Sequence, residues 1–421
     1  MRRGGPETGS LRRTNPRVAP SVGLMHTDGM GSAVLVDAVR TAGGKRNGSL
    51  RGWHAADLAA EVLKTLVARN DLDPTLVDDV IMGCVMQVGE QGLNVGRNAV
   101  LAAGFPESVP AVTVDRQCGS SQQAVHFAAQ GATAGAYDVV IAGGVECMSR
   151  VPMGASMQVG GMPFGPSVFK RYAAAGGLVP QGISAELIAE RWGLTRDELD
   201  AFGARSQQRA AAARSAGRFA AEIVPIAVRD DNGHDTGHVF DADEGIRPDT
   251  TVEVLAGLKP SFKPDGGMVT AGNSSQITDG AAAALIMSEE RCASLGFTPR
   301  ARFTSFALAG VDPITMLTAP IPATAKVLER AKLTVDDIDV VEINEAFASV
   351  VLAWEREVHP DMGRVNPNGG AIALGHPLGA SGAKLLATLV NELERTGGRY
   401  GLQVMCEGGG LANAMVIERL G

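Results

Sequence analysis

Aromatic residues are scarce in this 421-residue chain, at 4%, and no apolar run approaches the length of a membrane span. The greasiest stretches are interrupted by glycine or charge within about ten residues, which excludes a helical membrane protein. Basic character is also missing, since the formal net charge is −8, and this argues against general nucleic-acid binding. Five cysteines, an odd number, stand at Cys84, Cys118, Cys147, Cys292 and Cys406 with no CxxC spacing. That pattern opposes a disulfide framework or a metal cluster and favours reduced thiols in the cytoplasm. What is abundant is glycine, 53 residues, beside 45% hydrophobic and 20% charged residues. Tight turns and close-packed helices follow, in a chain long enough for two or three domains of about 150 residues each.

Residues 1–31 differ from the rest. Arg2, Arg3, Arg12, Arg13 and Arg17 lie among Gly, Pro, Ser and Thr without apolar period, so a disordered extension is expected, with Met25 or Met30 as an alternative start. Pro6, Pro16 and Pro20 oppose an amphipathic targeting helix. Order is expected from the strand Ala33–Val39.

Helical and strand patterns then alternate, the signature of α/β layers. Helices are expected over Ala55–Ala68, Gln122–Ala134, Ala323–Ala331 and Ala380–Leu393, and strands over Asp79–Gly83, Asp138–Gly144, Asp339–Ile343 and Leu402–Cys406. Gly143 and Gly408 lie 265 positions apart and Asp79 and Asp339 lie 260 apart, which reads as a duplicated α/β unit. The first copy is expected at 32–150, completed by about 276–290, and the second at 291–421. The looser region 151–275 holds a helical stretch at Leu199–Ala213 and a polar segment at Asp230–His238, and is expected to form an inserted loop domain over the site.

Three glycine-rich turns carry reactive side chains: Arg116-Gln117-Cys118-Gly119-Ser120-Ser121, Gly375-His376-Pro377-Leu378-Gly379 and Cys406-Glu407-Gly408-Gly409-Gly410. Glycine lets backbone approach a ligand and present bare N–H groups, so a thiol there is placed for attack. Two thiols and an imidazole can divide nucleophile, base and acid among them. Taken singly, a cysteine in such a chain is more often a packed small hydrophobe, so the three count together. Cys118 precedes a helix, where free N–H groups favour a thiolate, and His376 holds the equivalent turn of the second copy.

These turns, with Gly143-Gly144-Val145-Glu146-Cys147-Met148-Ser149, Asn344-Glu345-Ala346-Phe347 and Gly369–Gly382, give the chain its resemblance to the thiolases, acyl-CoA C-acetyltransferases, from about Ala33 to Leu420. The resemblance implies a duplicated α/β/α/β/α layered fold and CoA-dependent cleavage of a 3-oxoacyl-CoA. It implies that Cys118 becomes acylated, that His376 takes its proton, and that Cys406 protonates the leaving carbanion and then deprotonates CoA. His376 and a water held by Asn344 would face the enolate, and the N–H groups of Cys118 and Gly408 the acyl oxyanion. Glycine at 408 would be explained by that donor role. Arg247 is implied near the adenine or its phosphate, and Ser275 near the pantetheine. CoA is then a substrate, with no tightly bound cofactor and no metal, and the assembly a homodimer or homotetramer.

Departures shape the substrate reading. Pro180-Gln181-Gly182 stands where the biosynthetic branch carries a CoA-touching histidine, Val254 replaces a serine, and Asp115, Gln117, Ser121 and Glu407 are unusual for that branch. The pattern is similar to degradative thiolases of actinobacteria, including those of steroid ring breakdown, and implies a bulky or branched acyl group. Met157 and Met162 are candidates for lining its pocket, or loop filler. Cys147, Cys84, Cys292 and His126 are read as packed side chains, and Glu345 either polarises Asn344 or fixes its loop. The alternatives are a biosynthetic acetoacetyl-CoA thiolase, a 3-oxoacyl synthase of the same fold, which Cys406 in a glycine triplet opposes, and a non-catalytic acyl-CoA or lipid carrier, which the intact set of four side chains opposes.

Overall fold

The structure, a computed structural model, describes Met1 and residues 31–158 and 161–421. The extension expected at residues 1–31, with Met25 and Met30, falls almost wholly outside the described residues.

Among the described residues, an 11-stranded sheet has a continuous path through β1 (Ala33–Thr41), β2 (Asp79–Gly83), β3 (Ala111–Val114), β4 (Val139–Cys147), β5 (Thr278–Ser288), β6 (Ala301–Gly310), β7 (Val340–Ile343), β8 (Tyr400–Glu407) and β9 (Leu411–Arg419). Along that path the order is β7-β8-β9-β6-β1-β5-β4-β2-β3. The helices that matter for the site are α1 (Ala55–Arg69), α2 (Ser120–Thr133), α3 (Gln181–Arg191), α4 (Arg196–Ser215), α5 (Pro320–Ala331), α6 (Ala348–Val358) and α7 (Ser381–Thr396).

Strands such as β4, buried at every residue, read as continuous apolar runs because both sheet faces are covered. In β1, Ala33, Leu35 and Ala38 join the core shared with α2 and α7, while Val34, Val36 and Val39 join the core shared with α1. The parity change follows a bulge between Leu35 and Asp37. The second half covers its outer face with α5 and α6, around Val327, Val351 and Trp354. The layers therefore run α1, first half-sheet, α2 with α7, second half-sheet, α5 with α6. Pairing of Val34 with Arg302 and Leu35 with Ala301 joins the two half-sheets edge to edge.

The duplication is visible in hydrogen bonds. Asp78 accepts the N–H groups of Asp138 and Val139, and Asp339 accepts those of Arg399 and Tyr400. Bulges recur at the same place in β1 and β6. Asp78 and Asp339 fix the repeat at 261 positions, so the spacing of 265 between Gly143 and Gly408 is a slip of four. Glu146 and Glu407 are the true counterparts, as are the turns before α2 and α7.

Between β4 and β5 the chain leaves the sheet to form α3, α4 and a hairpin of Ile226–Arg229 with Asp235–Phe240. α4 starts at a capping box of Thr195 and Glu198. The segment Asp230–His238, read from its polarity as loop, contains the hairpin turn, where Asp230 accepts N–H groups of Asn232 and His234 at 2.9 Å. Its second strand is exposed on both faces until Phe240, which erased the alternation that would have marked it.

Candidate active site

The turns before α2 and α7 open into one cavity of about 770 Å3, whose wall includes Cys118, His376, Arg247 and Ser275. The halves can approach this closely because their backbones touch at glycines. A methyl group on Gly144 would lie 2.1 Å from the carbonyl oxygen of Gly379, in the turn that carries His376. Gly379 also donates its N–H to Glu146 at 2.9 Å.

His376 is held on several sides. Its backbone N–H donates to the carbonyl of Gln276 and the hydroxyl of Thr278, at 3.2 and 3.0 Å. Its Nδ1 lies 2.5 Å from Ser381 Oγ, and that hydroxyl donates to Pro377 O at 2.8 Å. Because the serine proton is used on the carbonyl, Nδ1 must carry the imidazole proton, which leaves the Nε2 lone pair free. Asn344 Nδ2 points at that lone pair from 3.5 Å and at Cys406 Sγ from 3.8 Å. Cys406 in turn faces the carbonyl of Asn344. Burial, and secondarily the charge of Lys384, lowers the His376 pKa to about 3, so the ring is a neutral base. Lys384 donates from Nζ to the carbonyls of Leu374 and Gly375, immediately before the histidine.

Both thiols are held protonated. Burial pushes Cys118 up, and the neighbouring Cys406 and Glu407 add to it, while the N–H groups of Gly408 and Cys118 pull the other way. Burial pushes Cys406 to about 12, against hydrogen bonds from Asn344 and the backbone. The resting pair is thus thiol and imidazole rather than thiolate and imidazolium.

Gly408 needs a different account from the expected one. A Cβ there would press on the flexible ends of Gln181 and Gln117 at 3.0 and 3.2 Å, and its backbone is not left-handed, whereas Gly409 and Gly410 are, at φ 80° and 85°. What position 408 supplies is an N–H facing the Cys118 sulfur.

At the other end of the cavity, Arg247 donates its N–H to Gln207 at 2.7 Å and Ser275 donates its N–H to Ala346 O at 2.9 Å. Met148 and Met153 line the wall, whereas Met157 and Met162 are exposed outside it. Glu345 fixes its loop by accepting from Ser206, Asn366 and Ile372. His126 is packed against Phe306, and Cys84, Cys147 and Cys292 are buried. No sequence pattern assigned a role to Ser381, Thr278 or Lys384, whereas Gln181 marks the departure from the CoA-touching histidine of the biosynthetic branch. Ser381 and Lys384 stand in the first turn of α7, five and eight positions after His376 in the turn that precedes it. Among the described residues no group of three or more His, Cys, Asp or Glu is placed to hold a metal.

A duplicated, five-layered α/β fold with a thiol and an imidazole on one cavity, and a second thiol buried behind them beside Asn344, is the arrangement of an acyl-transferring enzyme. Residues 33–290 match the thiolase N-terminal domain and residues 297–419 the thiolase C-terminal domain, so the chain belongs to the thiolase family. It is 51% identical over 396 residues to the steroid 3-ketoacyl-CoA thiolase FadA6 of Mycobacterium tuberculosis, covering 93% of this chain and 95% of that protein. It is 47% identical to the 3-ketoacyl-CoA thiolase of Photobacterium profundum, over 93% and 100%. The crystal structure of the Bacillus anthracis acetyl-CoA acetyltransferase superposes with a TM-score of 0.85 at 39% identity, over 93% of this chain and 99% of that one.

Proposed function

We propose that the protein cleaves a 3-oxoacyl-CoA with free CoA, giving acetyl-CoA or propionyl-CoA and a shortened acyl-CoA, by a ping-pong route through acyl-Cys118. The observation that carries this reading is the bridge made by Asn344, whose amide reaches both His376 Nε2 and Cys406 Sγ beside the cavity that Cys118 enters. In the first half-reaction His376 Nε2 takes the Cys118 proton and the sulfur attacks the ketone carbon. The bond to the α carbon breaks, its electron pair passes to the departing acetyl-CoA enolate, and the Cys406 thiol protonates that carbon. In the second, the Cys406 thiolate takes the proton of CoA, whose sulfur attacks the acyl-Cys118 thioester, and His376 returns its proton to Cys118.

The N–H groups of Cys118 and Gly408 stabilise the oxyanion on the acyl group, and His376 with a water on Asn344 stabilises the enolate. Arg247 and Ser275 receive CoA. No step requires a tightly bound cofactor. A bulky acyl group accords with the apolar rim formed by Met153, Val254, Leu258 and Phe262, all exposed, and with the name of the mycobacterial relative. A homodimer or homotetramer accords with the edge strand β3, whose Val112 is 42% exposed. A cytoplasmic location accords with five free cysteines.

The test is a panel of 3-oxoacyl-CoAs, short, long and polycyclic, incubated with CoA and followed by product mass. CoA-dependent loss of a bulky member, abolished by Cys118→Ala, supports the reading. Full activity of Cys118→Ala sinks it, and turnover of acetoacetyl-CoA alone would favour the biosynthetic alternative.

A further inference from the structure

Glu407 takes no part in those steps, yet it is fully buried and neither carboxyl oxygen has a hydrogen-bond partner among the described residues. Its repeat counterpart shows what a carboxylate in that place can do. Glu146 accepts the N–H groups of Val85, Met86 and Gly379 and the amide of Gln91, at 2.7 to 3.0 Å. Glu407 has none of these donors and packs instead against the turn that carries Cys118. A methyl group on Gly119 would lie 2.0 Å from its Oε1.

The groups facing it come from three elements. Asp115 and Arg116 lie between β3 and α2, with Arg116 Nε buried and unpartnered among the described residues. Asn413 on β9 directs its side-chain amide nitrogen to Gly119 O at 3.0 Å, and only its backbone N–H faces the carboxyl group. Cys118 across the turn, and Cys406 beside it on β8, both feel its charge. An unpaired carboxylate in such a place is costly, whereas the neutral acid is tolerated. Burial raises the Glu407 pKa to about 8, with Asp115 adding to it and Arg116 and the backbone N–H of Asn413 opposing it.

We infer that Glu407, buried without a side-chain partner behind the Cys118 turn, is a positioning residue whose charge, when it ionises, suppresses the Cys118 thiolate and sets an upper pH limit on acyl transfer. The account of acyl transfer rests on the thiolase reading above, but the coupling between Glu407 and Cys118 is measurable without turnover. It also gives a reason for glycine at 119, since any side chain there would displace the acid.

The experiment compares wild type, Glu407→Gln and Glu407→Asp by the rate at which iodoacetamide labels Cys118, read from the peptide mass. At about pH 6.5, where wild-type Glu407 is neutral, the Gln variant should label within about twofold of wild type. At about pH 9 it should label at least about fivefold faster, because the carboxylate charge is gone. Glu407→Asp, still ionisable, should keep the wild-type profile, and the alkaline fall in kcat/KM for CoA-dependent cleavage should be lost only in the Gln variant. The same ratio of rates at both pH values, or no difference at either, would overturn the proposal, since loosened packing changes the rate at every pH. A pH-dependent labelling difference without cleavage of any 3-oxoacyl-CoA would support the coupling while overturning the thiolase reading.

Discussion

The side chain that sets the chemistry of His376 is Ser381, five residues on, at the start of α7. With Ser381 Oγ donating to Pro377 O, Nδ1 is committed as a donor and Nε2 as the acceptor, and the imidazole enters the reaction as a base. Ser381→Ala frees the tautomer without touching the cavity. It should lower kcat by about 10- to 100-fold with little change in KM, below the ~10²–10⁴ that loss of a general base costs. Steady-state kinetics check this, and an unchanged kcat would show that the hydroxyl does not hold the ring. The thiols make a second prediction at this scale. Because Cys118 rests as the thiol beside a neutral imidazole, its labelling by iodoacetamide should climb from neutral into alkaline pH in wild type. A rate already flat below neutrality would indicate a standing thiolate and imidazolium pair.

Among elements, the decisive contact is backbone on backbone, where β4 meets the turn before α7. Gly144→Ala puts a methyl group against Gly379 O and must push the His376 turn away. A displacement of about 1 Å there is expected to cost about 100-fold in kcat/KM. Cys118 labelling should persist and the circular dichroism should be native. Normal activity would mean that the turn can yield. This scale also separates what the chain reveals in its residues from what it conceals. The alternation of helices and strands, the duplication and the glycine turns were legible, because buried strands and helices write their periods into apolar side chains. The hairpin after Ile226 was not, since Asp235–Val239 is exposed on both faces and carries no alternation. The spacings of 260 and 265 read from the sequence straddle the repeat of 261, because glycines mark turns of unlike shape while the register is set by Asp78 and Asp339. Met157 and Met162 fit pocket lining and loop filler equally by type, and Met148 and Met153 are the ones placed at the wall. The pairing of Ser381 with His376 crosses from an irregular turn to the start of α7, so no helical spacing announces it. Glu407 gave no signal of isolation, because a missing donor is a property of its surroundings.

For the molecule as a whole, two histidines link stability to acid. Burial, with the charge of Arg116 or Lys384, lowers the pKa of His126 and of His376 to about 3. Both are neutral in the folded chain and protonate near 6.5 when unfolded, so the unfolded state binds more protons between about pH 6.5 and 3. Their contribution therefore falls as the pH drops through that window. Buried Glu146 and Glu342, whose pKa values are raised, act in the opposite direction, so a difference measurement is needed. His126, with Nε2 unpartnered among the described residues and its ring against Phe306, is the site to change. His126→Phe should flatten the fall of the urea midpoint between pH 6.5 and 4 relative to wild type, and an identical slope would contradict the assignment.

Two copies of one α/β unit place a nucleophile in the turn of the first and its base in the matching turn of the second, and the account stands or falls on the intermediate they share. The direct measurement is the mass of the protein mixed with a 3-oxoacyl-CoA in the absence of free CoA. Acyl transfer through Cys118 releases acetyl-CoA or propionyl-CoA and leaves a mass gain equal to the shortened acyl group, confined to the peptide that contains Cys118 and discharged when CoA is added. An adduct on Cys406 instead, or CoA-dependent cleavage with no adduct on Cys118 under rapid quenching, would contradict it.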